Sequence, residues 1–164
     1  MSEGEPSFLI RDGLARHPLL LAFTVSGGAV GQGSLMDHGH GIHQPRRVRE
    51  QRHVMAMVAD ARWTRHGPLS GPVGVRVFVT AKRPKSHYLP VNSLRDVPLL
   101  RPNAPAYATS FPDLDKVLRL VGDALTDANV LRDDKIICRW EAIRLYGERA
   151  STAVELFDLD REPS

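Results

Sequence analysis

The stretch from Pro112 to Ala142 constrains the fold more than any other part of the chain. Leu114, Val117, Leu118, Val121, Ala124, Leu125 and Ala128 recur at spacings of three and four, which predicts an amphipathic helix from about Leu114 to Asp127. Beyond a turn, Ile136, Cys138, Trp140 and Ala142 alternate with Arg139 and Glu141, the pattern of a strand. A helix handed through a tight turn to a strand lets that strand run back along it. The apolar stripe of the helix must then be buried against a sheet.

The remaining elements complete an α/β order. Leu19 to Ser26 reads as a first strand, stopped by Gly27-Gly28, and residues 27–45 as a mobile glycine- and histidine-rich loop. Val48, Met55, Val58, Ala59 and Trp63 predict a helix from Arg46 to about His66, ended by Gly67, Pro68, Gly71 and Pro72. Val73, Val75, Val77 and Val79 alternate with Gly74, Arg76 and Phe78, a strand with one buried face. A long proline-containing loop covers 89–112, and GERAS returns the chain to a strand at Thr152 to Phe157, read as a hairpin partner of the strand before it. The expected fold is a small mixed β-sheet with two main helices. Residues 1–18 are read as a flexible leader, 19–158 as one domain and 159–164 as a tail.

Charge is distributed unevenly. Residues 1–101 hold 14 Lys/Arg against 7 Asp/Glu, and residues 102–164 hold 8 against 12. A basic surface beside an acidic cluster suits a polyanion held by one part and cut or read by the other. The single cysteine excludes an internal disulfide and fits a reducing compartment. Pro18 to Val25 is too short to span a bilayer and has no cleavage site after it, so a cytoplasmic location is expected. Gly28 and Gly33 have P-loop spacing, but Ser34-Leu35 stands where the phosphate-gripping lysine is required, so no nucleotide cofactor is expected.

Six of the nineteen acidic residues fall within 111–135: Asp113, Asp115, Asp123, Asp127, Asp133 and Asp134. Each has an ordinary explanation. Asp113 is placed to be the helix N-cap, and Asp115 lies in the first turn, where the helix dipole favours an anion. Asp115, Arg119 and Asp123 fall on an i, i+4, i+8 line that fits an ion-pair ladder, and Asp133-Asp134 are common turn residues. Together they fit a second account. If the strand runs back along the helix, Asp134 returns to the helix start, and converging carboxylates call for a divalent cation. Hard oxygen ligands suit Mg²⁺ or Mn²⁺, and metal-assisted phosphodiester hydrolysis follows.

The segment PDLDKVLRLVGDALTDANVLRDDKII resembles the signature of the RusA-type Holliday-junction resolvases: a D-x-D opening a helix, D-A-L eight residues after its second Asp, and D-D at the next strand. FTVSGGAVGQGS resembles the family's early strand and glycine loop, QPRRVREQRHVMAMV its basic helix, and AKRPKSHY a loop of its phage and bacterial versions. The resemblance covers roughly 20–157. It implies that Asp113, Asp115 and Asp134 are metal-binding catalytic acids, with Asp133 a neighbour and Asp123 a supporting residue. Where the family often has a functional lysine, one turn after the second Asp, this chain has Arg119, with Lys116 nearer the cap. Arg119 either holds the scissile phosphate or pairs with the aspartates flanking it. The resemblance further implies a homodimer acting on four-way DNA, encoded by a bacterium or phage. Phosphate contacts are expected from Arg46, Arg47, Arg49, Arg52, Lys82, Arg83 and Lys85, with no membrane partner.

Two other functions fit parts of the pattern. Pro112-Asp113 with Asp133-Asp134-Lys135 parses as a restriction-type P-D…D-x-K site, although a helix intervenes where that site needs adjacent strands. A non-catalytic DNA-binding protein with a structural ion fits the charge distribution. Asp37, His38, His40 and His43 lack a complete zinc spacing, Cys138 falls in an apolar register and reads as core, and Trp63 and Trp140 read as packing residues.

Overall fold

A computed structural model describes residues 13–31, 36–37, 42–43, 45–90, 97–109 and 112–161. The parts of the leader, glycine-rich loop, 89–112 loop and tail at 1–12, 32–35, 38–41, 44, 91–96, 110–111 and 162–164 lie outside the described residues, His38 and His40 among them. The elements run β1 (Leu19–Ser26), two short strands β2 (Met36–Asp37) and β3 (Ile42–His43), α1 (Arg46–Arg62), β4 (Val73–Lys82), α2 (Leu114–Asp127), β5 (Ile137–Gly147) and β6 (Ser151–Asp158). β2 and β3 pair as a small antiparallel ribbon inside the segment expected to be loop.

The main sheet is mixed, in the order β1-β6-β4-β5. β4 and β5 are parallel and joined through α2, while β6 runs antiparallel to both β1 and β4. The expected β5–β6 hairpin is therefore not formed, because β4 lies between the two strands. Crossing one strand requires about 9.6 Å, two inter-strand spacings, and the short connection after Gly147 can span that at ~3.8 Å per residue.

Both helices cover one face of the sheet. Val73, Val75, Val77 and Val79 of β4 meet Leu120, Val121, Ala124 and Leu125 of α2, and Met55 and Ala59 of α1, in one core. α1 stops at Arg62, four residues before the expected end. Trp63 leaves helical geometry there, and its indole N–H donates to the Gly67 carbonyl, where φ is +79°. The opposite face of β4 is also covered. Leu14, from the segment read as a leader, is fully buried and lies where a Cβ on Gly74 would meet its Cδ2 at 2.2 Å.

On that face Arg76 is buried and fixes the register of three strands. It stands opposite Glu141 on β5 and Glu155 on β6, with contacts at 3.2 and 3.0 Å, and its guanidinium lies 5.0 Å from the Phe157 ring. A cation removed from water is tolerated only with such partners. β5 carries an irregularity at its start: Val73 pairs Ile137 and Gly74 pairs Arg139, so Cys138 has no partner. That bulge re-aims the side chain, and Cys138 is exposed rather than in the core as its register suggested.

Candidate active site

α2 begins after Pro112, whose carbonyl accepts a hydrogen bond from the Arg144 guanidinium on β5; Arg144 Nε also donates to the Ala108 carbonyl at 2.7 Å. One side chain of the returning strand thus fixes the chain leading into the D-x-D. The glycine-rich loop supports the same point from the other side. A Cβ on Gly31 would lie 2.8 Å from Pro112 Cβ and 2.9 Å from Lys116 Cβ, so only glycine lets the loop approach the helix start this closely. Gln51 of α1 holds that loop, accepting from Val30 N–H at 2.6 Å and donating to the Gly28 carbonyl at 3.0 Å.

Asp113 occupies the N-cap position with extended backbone, but its side chain makes no capping hydrogen bond. It pairs instead with Lys116 at 2.8 Å, one turn on. The hydrogen bond and charge of Lys116 hold the Asp113 carboxyl below the usual carboxylate range, and Asp113 in turn raises the Lys116 pKa. Asp133 turns the chain into β5, accepting from Lys135 N–H at 3.0 Å and pairing with its ammonium at 3.0 Å. The Lys135 backbone bond, followed by its side chain, lowers the Asp133 pKa.

Asp115 and Asp134 are placed differently. Both line a cleft of about 260 Å³ with Arg119, bounded by Leu118, Gly122, Ile137 and Trp140. Gly122 makes the approach possible: Asp134 Cβ lies 3.5 Å from the point where a Gly122 Cβ would sit. α2 and β5 run side by side in opposite directions, so residues 19 positions apart in sequence share one opening. Arg119 forms no ion pair with Asp115 or Asp123 among the described residues, so the i, i+4, i+8 ladder is not made. No group of three or more His, Cys, Asp or Glu is gathered at metal-binding distance among the described residues. The pair Asp115 and Asp134, with Asp113 turned to Lys116, is what the fold brings together. Two carboxylates with open space fit Mg²⁺, which keeps several waters and is often bound through one or two carboxylates plus substrate phosphate.

The basic residues divide by role. Arg52 reaches across from α1 to α2, with two parallel bonds to Asp127 at 2.5 and 2.7 Å and a contact to Asp123 at 3.3 Å. Those aspartates keep the guanidinium firmly protonated. Arg83 donates to the Pro105 carbonyl at 2.7 Å and lies over the Tyr146 ring at 5.5 Å. Among the described residues Arg46 pairs with Glu50, its neighbour one turn away. Arg47 lines the hollow over Gly27 and Gly28, and Arg49 and His53 open onto a crevice of about 600 Å³ at the end of α2. Lys82 and Lys85 are exposed at the end of β4 and in the turn after it. The anchoring roles of Arg144, Gln51 and Gly31 escaped sequence reasoning, and only the glycine carried a local signal.

Comparison with known protein families decides the broader question: the family model Endodeoxyribonuclease RusA matches residues 31–157. The chain belongs to the RusA endodeoxyribonuclease family. No curated protein matches the chain. The RusA match spans α1, β4, α2, β5 and nearly all of β6, and so contains the whole Asp115–Asp134 cleft. Membership makes this an endodeoxyribonuclease of the Holliday-junction resolvase type, on the mixed sheet and two helices described above. The restriction-type parse has no counterpart here, since Asp113 heads a helix and Lys135 is paired to Asp133. Among the described residues no helix is long and apolar enough to cross a membrane.

Proposed function

We propose that the chain cuts four-way DNA by metal-dependent hydrolysis at the Asp115–Asp134 cleft, acting as a homodimer in recombination or repair. The observation that carries this reading is that Asp115, from the first turn of α2, and Asp134, from the turn before β5, line one cleft with Arg119, which has no ion pair among the described residues. Asp115 and Asp134 hold the divalent cation, Mg²⁺ or Mn²⁺. Asp113 joins them when a phosphate competes for Lys116. The bound cation supplies Lewis-acid charge to the scissile phosphodiester.

Arg119 stands on the same wall of the cleft and orients the phosphate, with Lys116 one turn nearer the helix start. Trp140 and Leu118 line the cleft beside these charges. In that reaction one P–O bond forms from water and one P–O bond to the leaving oxygen breaks. Arg47, Arg49, Lys82 and Lys85 hold neighbouring phosphates. A four-way junction has near two-fold symmetry, and a symmetric dimer offers it two equivalent sites.

The test is incubation of the full chain with labelled four-way junctions, with and without Mg²⁺, beside Asp115→Asn. Expected are paired nicks in opposed strands that require the cation and fall about 10²-fold or more in the variant, with junction binding retained. Junction binding without nicks under every divalent cation would instead assign a DNA-binding protein that does not turn over.

A further inference from the structure

A further concavity lies at the end of the sheet where β4 and β5 finish. It measures about 850 Å³, and its lining includes Lys82, Lys85 and Arg101 together with Tyr88, Leu89 and Val97. Its position is fixed by the backbone around it. Leu89 N–H donates to the Leu99 carbonyl at 2.7 Å, Arg101 N–H to the His87 carbonyl at 2.9 Å, and Arg101 Nε to the Tyr88 carbonyl at 3.2 Å. Arg83, also on the lining, is committed to Pro105 and Tyr146. Lys82 and Lys85 form no ion pair among the described residues. Glu148 is the one carboxylate on the described lining, so cations outnumber it.

Apolar surface stands exposed beside these charges. Val97 is 66% exposed, and Leu99 and Tyr107 are exposed on the same segment. Aromatic and aliphatic surface set among cations is what an unstacked nucleotide needs: a face for the base and charges for the flanking phosphates. A continuous duplex cannot use such a concavity, because its bases are stacked inside the helix. From Arg144, whose guanidinium reaches the Pro112 carbonyl at the head of α2, to Glu148, on this lining, the four steps of extended chain measure about 13 Å at ~3.3 Å per residue, more than one nucleotide step. The nucleotide held here is therefore not the one that is cut. Residues 106–108 run along the edge of β5 between the two places, through the Tyr107–Leu145 bridge and the Ala108 N–H to Arg144 carbonyl bond at 3.2 Å.

We infer that the hollow formed by Lys82, Lys85, Tyr88, Val97 and Arg101 binds an unpaired nucleotide at the branch of the DNA substrate, its base against Tyr88. This rests on the reading of branched DNA as substrate. The experiment uses the full chain and a four-way junction with 5-iodouracil at the branch, in EDTA so that nothing is cut, beside a continuous duplex of the same length. On irradiation the junction should crosslink to the peptide containing Tyr88, and the duplex should not. Tyr88→Ala should weaken junction binding by roughly 5- to 150-fold with duplex binding unchanged, and Tyr88→Phe should stay within about twofold of the parent.

Should Tyr88→Ala not fold, Val97→Asp, at an exposed position, puts a carboxylate at the rim and should produce the same selective loss. Crosslinking equally to duplex, crosslinking elsewhere, or equal losses on duplex and junction would each overturn the inference. Displacement of the junction by a short acidic peptide, with no Tyr88 crosslink, would overturn it in favour of a protein partner. Failure of the nuclease reading looks different: the crosslink persists in EDTA while Mg²⁺ produces no nicks.

Discussion

Arg52→Ala removes two parallel bonds to Asp127, at 2.5 and 2.7 Å, and the contact to Asp123 at 3.3 Å. The partners are partly screened: the Arg52 side chain is 27% exposed and that of Asp127 42%. Exposed pairs couple by about 0.2–1 kcal/mol, whereas breaking a fully buried pair costs about 3–5 kcal/mol. Bidentate geometry at partial exposure places this pair near the top of the first range, at about 1 kcal/mol. For a chain of this length that is a fall in Tm of about 2–4 °C. The measurement is a cycle of Arg52→Ala, Asp127→Ala and the double variant in denaturant, each also titrated with a four-way junction at several salt concentrations. A coupling near 1 kcal/mol with an unchanged salt slope is expected, because Arg52 joins α1 to α2 rather than touching phosphate. If the stability effects simply add, and the slope of log K against log salt loses about 0.9 on Arg52→Ala, the guanidinium is a phosphate ligand and the reasoning is wrong.

Two further outcomes follow from the start of α2. Gly31→Ala drives a methyl group to within 3 Å of Pro112 and Lys116, so it should cost about 1–3 kcal/mol, read by chemical denaturation, and slow junction cleavage beyond what the lost stability explains. A variant as stable and active as the parent would show that the loop does not support the D-x-D. In an NMR titration the Asp113 carboxyl should protonate below the ordinary value of about 3.9, and Lys116→Gln should return it towards that value. The stabilisation carried by the lowered Asp113 pKa is present above the unfolded value and lost as pH falls through the folded one. That carried by the raised Lys116 pKa is complete below about 10.4 and lost as pH rises through its folded value.

The limits of β1 and α2 were legible because β1 is an apolar run closed by Gly27-Gly28 and α2 carries an uninterrupted three-four period. Strand order was not. A short link after Gly147 is compatible with a hairpin and with a step over one strand, and only the burial of β4 between β5 and β6 decides between them. Cys138 was misplaced because a bulge leaves the alternation of residue types intact while changing where one side chain points. The lengths of α2 and its turn suggested that Asp134 would return to the helix start; it lines one cleft with Asp115 but packs at Gly122, past the middle of α2. The commitment of Asp113 to Lys116 depends on rotamers that spacing alone does not choose. Arg52 carries the same local signal as its basic neighbours; the turn of α1 that aims it at Asp127 belongs to helix packing.

The place of β6 between β1 and β4 has a consequence for how the molecule is made. Until residues 151–158 are available, β1 has no hydrogen-bonding neighbour in the main sheet, and β4 has only β5. A nascent chain on the ribosome can assemble the β4–α2–β5 unit with its acidic cleft, yet it must hold its earliest strand unzipped until the latest one emerges. Pairing across so long a separation is slow, and a chain released early would expose two raw sheet edges to its neighbours.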